Sequence, residues 1–421
     1  MAPQLRLVLA ILLIYLIGTP TSVLASLHPV VLVPGNTCGQ LDARLTDEYE
    51  PPGPGCGVLK QGRGWFRLWE NFTALQEDPS LFRCYADQLR LVYDPVAGDY
   101  RNVPGVETRV VSIGTTRSFR FDDPARKNVC MEALVEALEG VGYSEGVNLF
   151  GAPYDFRYAP AAPGLPSRVF SEFSSRLKLL IKVTSRRNGN KPVILVTHSI
   201  GGLFSMEFLD RTPLSWRRRF IKHLVMLCLG VGGSPLNMWP LASKTLAANP
   251  SSLQASVLTY GNRSFASMFS LLPSPNVYGN TPLVITRDRS YSAQDMADYL
   301  AAAGFSENVV ARYRTRALPV TLGLRAPLVP MTSINGIGVP TVDKLVFWDG
   351  NFCGMPQLVN GDGDGQINVQ TVLALQGLIG DDPEQPYFKS ILIPNTTHKG
   401  MISDESALKR VVNEILRASA S

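Results

Sequence analysis

The apolar run Pro192-Val193-Ile194-Leu195-Val196 leads straight into Thr197-His198-Ser199-Ile200-Gly201, and a helix-spaced segment, Gly202-Leu203-Phe204-Ser205-Met206-Glu207-Phe208-Leu209, follows at once. Strand, tight turn with a serine, and helix make a nucleophile elbow, in which the serine is strained and its hydroxyl is raised above the strand ends. Only small neighbours permit that turn, which accounts for Gly201 and Gly202. The usual glycine two positions before the serine is Thr197 here, so the match to G-x-S-x-G is one residue short.

A serine nucleophile needs a base and an acid, in the order serine, acid, histidine along such a fold. The chain has four histidines. His198 lies inside the elbow, and His28 and His223 precede or begin predicted strands. His398 remains, in the loop Asn395-Thr396-Thr397-His398-Lys399-Gly400 after the apolar strand Ser390-Ile391-Leu392-Ile393-Pro394. A lone loop histidine is ordinarily surface decoration, and it is the upstream elbow that singles this one out.

Between serine and histidine, Val359-Asn360-Gly361-Asp362-Gly363-Asp364-Gly365-Gln366-Ile367-Asn368 offers two carboxylates, Asp362 and Asp364. The same turn fits the first positions of a calcium loop, but Thr371 stands where a bidentate glutamate is required, so no metal is expected.

These pieces, together with His28-Pro29-Val30-Val31-Leu32-Val33-Pro34-Gly35 and Gly151-Ala152-Pro153-Tyr154-Asp155-Phe156-Arg157, resemble the lecithin:cholesterol acyltransferase family over nearly the whole chain. The resemblance implies an α/β-hydrolase fold with a mostly parallel sheet, a cap insertion and a small membrane-binding loop region. It implies a serine acyltransferase without cofactor, taking an acyl group from a phospholipid donor to a sterol or other lipid alcohol. A phospholipase A or lipase that passes the acyl group to water is the close alternative. The family's acid turn reads Gly-Asp-Gly-Thr-Val, and aligning Gly363-Asp364-Gly365-Gln366-Ile367 with it selects Asp364. The family's oxyanion hole maps to backbone N–H groups of Ile200 and of the loop near Asn36 and Thr37. Its disulfide-closed membrane-binding loop maps to 50–88, with Cys56 and Cys84 as the bridge and Trp65, Phe66 and Trp69 as the membrane residues. Cys38, Cys130, Cys228 and Cys353 stay unassigned.

The chain also departs from the family pattern. Leu229-Gly230-Val231-Gly232-Gly233-Ser234 replaces the usual Ala-Pro-Trp-Gly-Gly, Gln366 replaces a threonine beside the acid, and Phe156 replaces a tryptophan. None removes a triad atom, so they bear on donor and acceptor preference rather than on the chemistry. A silent hydrolase fold that only binds lipid or protein is the rival from another class, and three triad members in the right order argue against it.

The start of the chain reads as a secretory leader, 1–25, with Arg6, the apolar run Leu7 to Ile17, and small residues at Val23-Leu24-Ala25. Cleavage there leaves 396 of the 421 residues, 26–421, as one catalytic domain. An uncleaved N-terminal anchor is the alternative. The expected location is the secretory pathway, either secreted or in an endoplasmic-reticulum, vacuolar or lysosomal lumen, at the surface of a membrane or lipoprotein-like particle. Asn71-Phe72-Thr73, Asn262-Arg263-Ser264 and Asn395-Thr396-Thr397 are glycosylation sequons. A net charge of +5 spread over 421 residues excludes a nucleic-acid footprint. The basic cluster Trp216-Arg217-Arg218-Arg219-Phe220-Ile221-Lys222 reads as a solvated helix end, with contact to an anionic lipid surface as the alternative.

No repeat divides the chain. Strands are expected at Val30 to Val33, Leu91 to Tyr93, Val110 to Ile113, Val147 to Phe150, Val193 to Val196, Leu224 to Leu227, around Val329 to Ile334, and at Ile391 to Ile393, with helices between many of them. The interval 234–324 breaks that alternation and reads as the cap. Its Met238, Trp239, Phe265, Met268 and Phe269 are either the cap's own core or lipid contacts.

Overall fold

The computed structural model describes residues 27–57, 64–121, 128–242 and 263–421. The leader 1–25, Asn262 and positions 243–262 of the expected cap lie outside them. Six strands form the central sheet: β1 (Val30–Val33), β2 (Leu149–Gly151), β3 (Val193–His198), β4 (Ile221–Leu227), β5 (Met331–Ile337) and β6 (Phe388–Pro394). All pair in parallel, in the spatial order β6-β5-β4-β3-β1-β2.

Continuous apolar strands are what a parallel sheet covered on both faces requires. Val31 and Val33 of β1 face one core with Leu195, Leu224 and Met226, while Val30 and Leu32 face the other with Ile194, Val196, Val225 and Ile334. Helix α1 (Arg168–Arg187) covers the first face through Phe170, Phe173, Leu177 and Ile181. Helix α3 (Glu405–Ala420) covers the second through Leu408, Val411, Ile415 and Ala418. Those three- and four-residue spacings put one stripe of each helix inward. Burying each such side chain contributes about 1.5–3 kcal/mol. Between α1 and α3 in sequence, α2 (Gly201–Asp210) is buried from Gly201 to Leu209, so it is an interior helix.

The sheet order places β1 between β2 and β3, a point where successive connections leave in opposite directions. In open α/β sheets the crevice beyond the strand C-termini at that point is where ligands bind.

Two expected strands belong elsewhere. Among the described residues Leu91–Asp94 pairs only with Asp99–Asn102, and the segment expected at Val110 to Ile113 forms Val106–Val110 beside Leu41–Leu45, which also pairs with Phe66–Trp69. It stops at Val110 because Ser112 and Gly114 turn the chain with φ of 62° and 89°. The hairpin Val339–Val346 and Gln357–Gly363 was not expected. Its second strand is exposed almost throughout and reads Gln-Leu-Val-Asn-Gly-Asp-Gly, which lacks the alternation that marks a strand.

After Ser234 the described chain is mostly short helices. Met238, Phe265, Met268 and Phe269 are buried and Trp239 is half-buried against the same core. These residues belong to the same buried cluster as the first face of the sheet. Among the described residues no helix is long and apolar enough to cross a membrane.

Cys56–Cys84 is a disulfide. So is Cys38–Cys130, a pair separated by 92 residues that no local signal announces. Cys228 is a buried thiol and Cys353 an exposed one.

Trp69 corrects one expectation. It is 2% exposed, its Nε1–H donates to the Thr37 carbonyl at 2.7 Å, and its ring lies 5.4 Å from that of Phe156. A tryptophan with its N–H satisfied inside the protein is core and cannot serve as a membrane contact. Trp65 is 38% exposed, with Arg109 and Arg44 over its ring at 4.4 and 5.4 Å. Phe66 is half-buried beside Tyr85.

The pair Asp155 and Arg157 is structural. Arg157 is wholly buried, paired with Asp155 at 2.6 Å, and donates to Leu89, Asn102 and Thr108. In the basic cluster Arg218 and Arg219 are exposed, but Arg217 is buried and donates to the Pro327 carbonyl.

Candidate active site

Ser199 follows β3 directly and has φ +54°. A non-glycine residue there costs about 1–3 kcal/mol and persists only where its surroundings hold it. They do so from two sides: its N–H donates to Leu227 at the end of β4, and its carbonyl accepts from Gly202 at the start of α2. A Cβ on Gly201 would stand 2.3 Å from the Pro34 carbonyl oxygen, so this position cannot carry a side chain. Thr197 takes the place of the usual glycine as a fully buried residue of the strand.

The loop after β1 packs on this turn. A Cβ on Gly35 would reach within 3.2 Å of the Ser199 Cβ. Next to it, Thr37 has φ +63° and its carbonyl is held by Trp69. Cys38, tied to Cys130, closes the loop. The loop after β4 approaches from the other side, where a Cβ on Gly230 would lie 3.4 Å from the Ile200 nitrogen. Ile200, Asn36 and Thr37 therefore belong to segments that border the serine turn.

The candidate acid arrives by a detour. At Gly338, φ +82°, the chain leaves β5, runs out and back through the hairpin, and returns as Asp364. Asp364 is 1% exposed. Its Oδ2 accepts from His398 Nδ1 at 2.8 Å, its Oδ1 accepts from the N–H groups of Ile367 and Gln366 at 2.7 and 2.9 Å, and its carbonyl accepts from the His398 N–H at 2.7 Å. Burial pushes its pKa up, but the His398 hydrogen bond and charge and the two backbone donors outweigh burial and hold it below the usual value. Asp362 is exposed and accepts from the Gly338 N–H instead. Geometry thus separates two carboxylates that the local sequence leaves equivalent. Both Asp364 oxygens are taken by N–H donors, and Thr371 is buried against the Tyr278 hydroxyl, so the turn is not arranged as a cation loop.

His398 follows β6 and is 5% exposed. With Nδ1 committed to Asp364, its Nε2 is the nitrogen left to exchange a proton with an alcohol. His198 packs against it, ring centroids 4.8 Å apart, and Nε2 of His198 lies 3.2 Å from the His398 carbonyl. Among the described residues the one set of three metal-ligating atoms within 4.8 Å of one another is His198, Cys228 and His398. A metal there would occupy the candidate base itself.

The model of the family "Lecithin:cholesterol acyltransferase" matches residues 64–326. The chain belongs to this family. It is 43% identical to Lecithin-cholesterol acyltransferase-like 1 of Oryza sativa subsp. japonica over 94% of this chain and 88% of that protein. It is 30% identical to Lysosomal phospholipase A and acyltransferase of Homo sapiens, covering 96% and 95%. Phosphatidylcholine-sterol acyltransferase of Rattus norvegicus is 29% identical over 77% and 70%. Among solved structures, a chain of the Tle4–Tli4 complex aligns with TM-score 0.54 at 12% identity, covering 93% of this chain and 98% of that one, a likeness of fold alone.

This acyltransferase-family chain carries two buried neutral histidines whose burial has a cost in acid. Burial first, and then the charge of His398, pushes His198 down to about 3, while burial and then Lys222 push His223 down to about 4. The unfolded chain takes up these protons near pH 6.5 and the folded chain does not, so their stability is complete above pH 6.5 and falls as the pH drops toward those values. The slope is about 1.4 kcal/mol per pH unit for each histidine. Urea midpoints are therefore expected to fall between pH 7 and pH 5 by an amount equivalent to about 4 kcal/mol. His223→Gln should remove roughly half of that dependence. A midpoint flat across this window contradicts the assignment.

Proposed function

We propose that the protein transfers a fatty acyl group from a phospholipid, through an acyl-serine on Ser199, to a sterol or other lipid alcohol. The observation that carries this is the strained Ser199 turn beside a buried Asp364–His398 pair, in a chain of an acyltransferase family. His398 takes the Ser199 proton as the oxygen attacks the ester carbonyl, and Asp364 keeps the imidazole in the required tautomer and stabilises its cation. Backbone N–H groups of Ile200 and of the Asn36–Thr37 loop stabilise the tetrahedral oxyanion, each such donor contributing about 2.7–4 kcal/mol. Collapse expels the lysophospholipid and leaves the acyl-enzyme, which an alcohol or water then resolves.

The second reading, a phospholipase that uses water, is favoured by the relatives named for both activities. Purified protein incubated with acyl-labelled phosphatidylcholine, with and without sterol, separates the two. Label in a new acyl-alcohol supports transfer, and label only in free fatty acid supports hydrolysis. No release above that of Ser199→Ala overturns both.

The segment 234–324 acts as a cap over the nucleophile in this reading. Supporting it, the Ser234 N–H donates to the Leu271 carbonyl and the Ser274 N–H to the Gly232 carbonyl, which ties the helical segment to the loop bordering Ile200. Two disulfides favour an oxidising, secretory compartment.

Membrane contact falls to Trp65 and Phe66. Replacing both with Ser should weaken binding to phosphatidylcholine vesicles about tenfold while turnover of a short soluble ester persists. Trp69→Ala should instead cost about 3–5 kcal/mol of stability, read as a lowered melting temperature. Equal loss on both substrates for the Trp65 and Phe66 variant moves the membrane contact elsewhere.

A further inference from the structure

We infer that His198 is a positioning residue for the candidate base, pinning the His398 loop against the serine turn by donating its Nε2–H to the His398 carbonyl. The inference rests on the reading of Ser199, His398 and Asp364 as the catalytic set. His198 is the last residue of β3 and is 5% exposed. A carbonyl only accepts, so the 3.2 Å contact from Nε2 fixes the proton on that nitrogen and leaves Nδ1 bare. Nδ1 is buried with no hydrogen-bond partner among the described residues, and a Cβ on Gly35 would lie 2.8 Å from it. The ring is thus wedged between the loop after β1 and the loop after β6, one residue ahead of Ser199. Cys228 aims its Sγ at the same carbonyl from 3.7 Å, but a thiol is a weak donor and His198 carries the contact.

The base needs such a pin. His398 hangs from β6, an edge strand, through a turn in which Asn395 has φ +53°. Asp364 holds its N–H and its ring, and among the described residues only His198 and Cys228 hold its carbonyl. Displacement of a reacting group by about 1 Å can cost roughly 100-fold in rate. The titratable groups facing His198 are His398, Asp364 and Cys228. A neutral His198 avoids placing a second cation beside the imidazolium that forms on His398.

The test compares His198→Phe, which fills the space without a donor, with His198→Gln, whose amide N–H replaces it. Both are assayed on a short p-nitrophenyl ester across pH, with fluorophosphonate labelling of Ser199 and thermal melts. We expect His198→Phe to lose about 10- to 100-fold in kcat with KM within about twofold and with a displaced acid limb of the pH profile, and His198→Gln to recover most of the rate. A wild-type rate and profile for His198→Phe, or equal loss in both variants that tracks a lowered melting temperature, overturns the inference. Wild-type protein that the fluorophosphonate does not label overturns the catalytic reading, and this inference with it.

Discussion

Ser199→Ala, His398→Ala and Asp364→Asn should each abolish nearly all acyl release from a phospholipid while the fold persists. For Ser199 and His398 the expected loss is on the order of 10⁴-fold or more, and combining the substitutions adds little because the three act as one unit. Asp364→Asn is the informative one. An asparagine oxygen still accepts from the Gln366 and Ile367 N–H groups, so the turn is kept, but its NH₂ faces His398 Nδ1 and forces the wrong imidazole tautomer. Asp362→Asn touches only the Gly338 N–H and should retain activity. Steady-state turnover, fluorophosphonate labelling and melting curves measured on the four variants check this. An inactive Asp362→Asn beside an active Asp364→Asn would reverse the assignment of the acid. A chelator should leave the rate unchanged.

Removing the Cys38–Cys130 bridge, by Cys38→Ser with Cys130→Ser, should have the largest effect on stability. The bridge joins residues 92 apart in sequence, and closing a loop of that length restricts the unfolded chain by about 4–5 kcal/mol in the chain-entropy account. Cys56–Cys84 closes a separation of only 28, so its removal should cost about 1 kcal/mol less. The longer bridge has a second role. Cys38 follows Thr37, whose left-handed backbone and Trp69 contact shape the loop assigned to the oxyanion. Its loss should therefore lower kcat on a soluble ester at temperatures where the protein is still folded, whereas loss of Cys56–Cys84 should chiefly weaken vesicle turnover. Chemical unfolding midpoints and kcat on both substrates separate these effects. A double variant of Cys38 and Cys130 with wild-type stability and rate would mean that the bridge contributes to neither.

Local rules made the elbow legible, because an uninterrupted apolar strand, a serine followed closely by two glycines and an apolar helix leave few alternatives. The same rules found the core strands of the sheet, whose runs are apolar on both faces. They misplaced the strand near Val110, where one serine and one glycine with positive φ end the extended backbone earlier than the apolar pattern suggests. They missed the hairpin before the acid, whose outer strand is a polar edge with nothing to bury on either side.

By itself the sequence determined the strand–turn–helix around Ser199, the alternation that makes an α/β sheet, and His398 as the candidate base, since four histidines leave little choice. Local rules left two carboxylates for that base and the family resemblance pointed to Asp364; the contact itself comes from the hairpin, which returns Asp364 to the end of β5 against His398 and turns Asp362 outward. Only tertiary structure paired Cys38 with Cys130, sent Trp69 into the core while Trp65 stayed at the surface, and laid His198 against the His398 carbonyl. The physical reason is common to all four. Each depends on contacts between segments tens to hundreds of residues apart, and the residues that flank each one in sequence are compatible with either outcome.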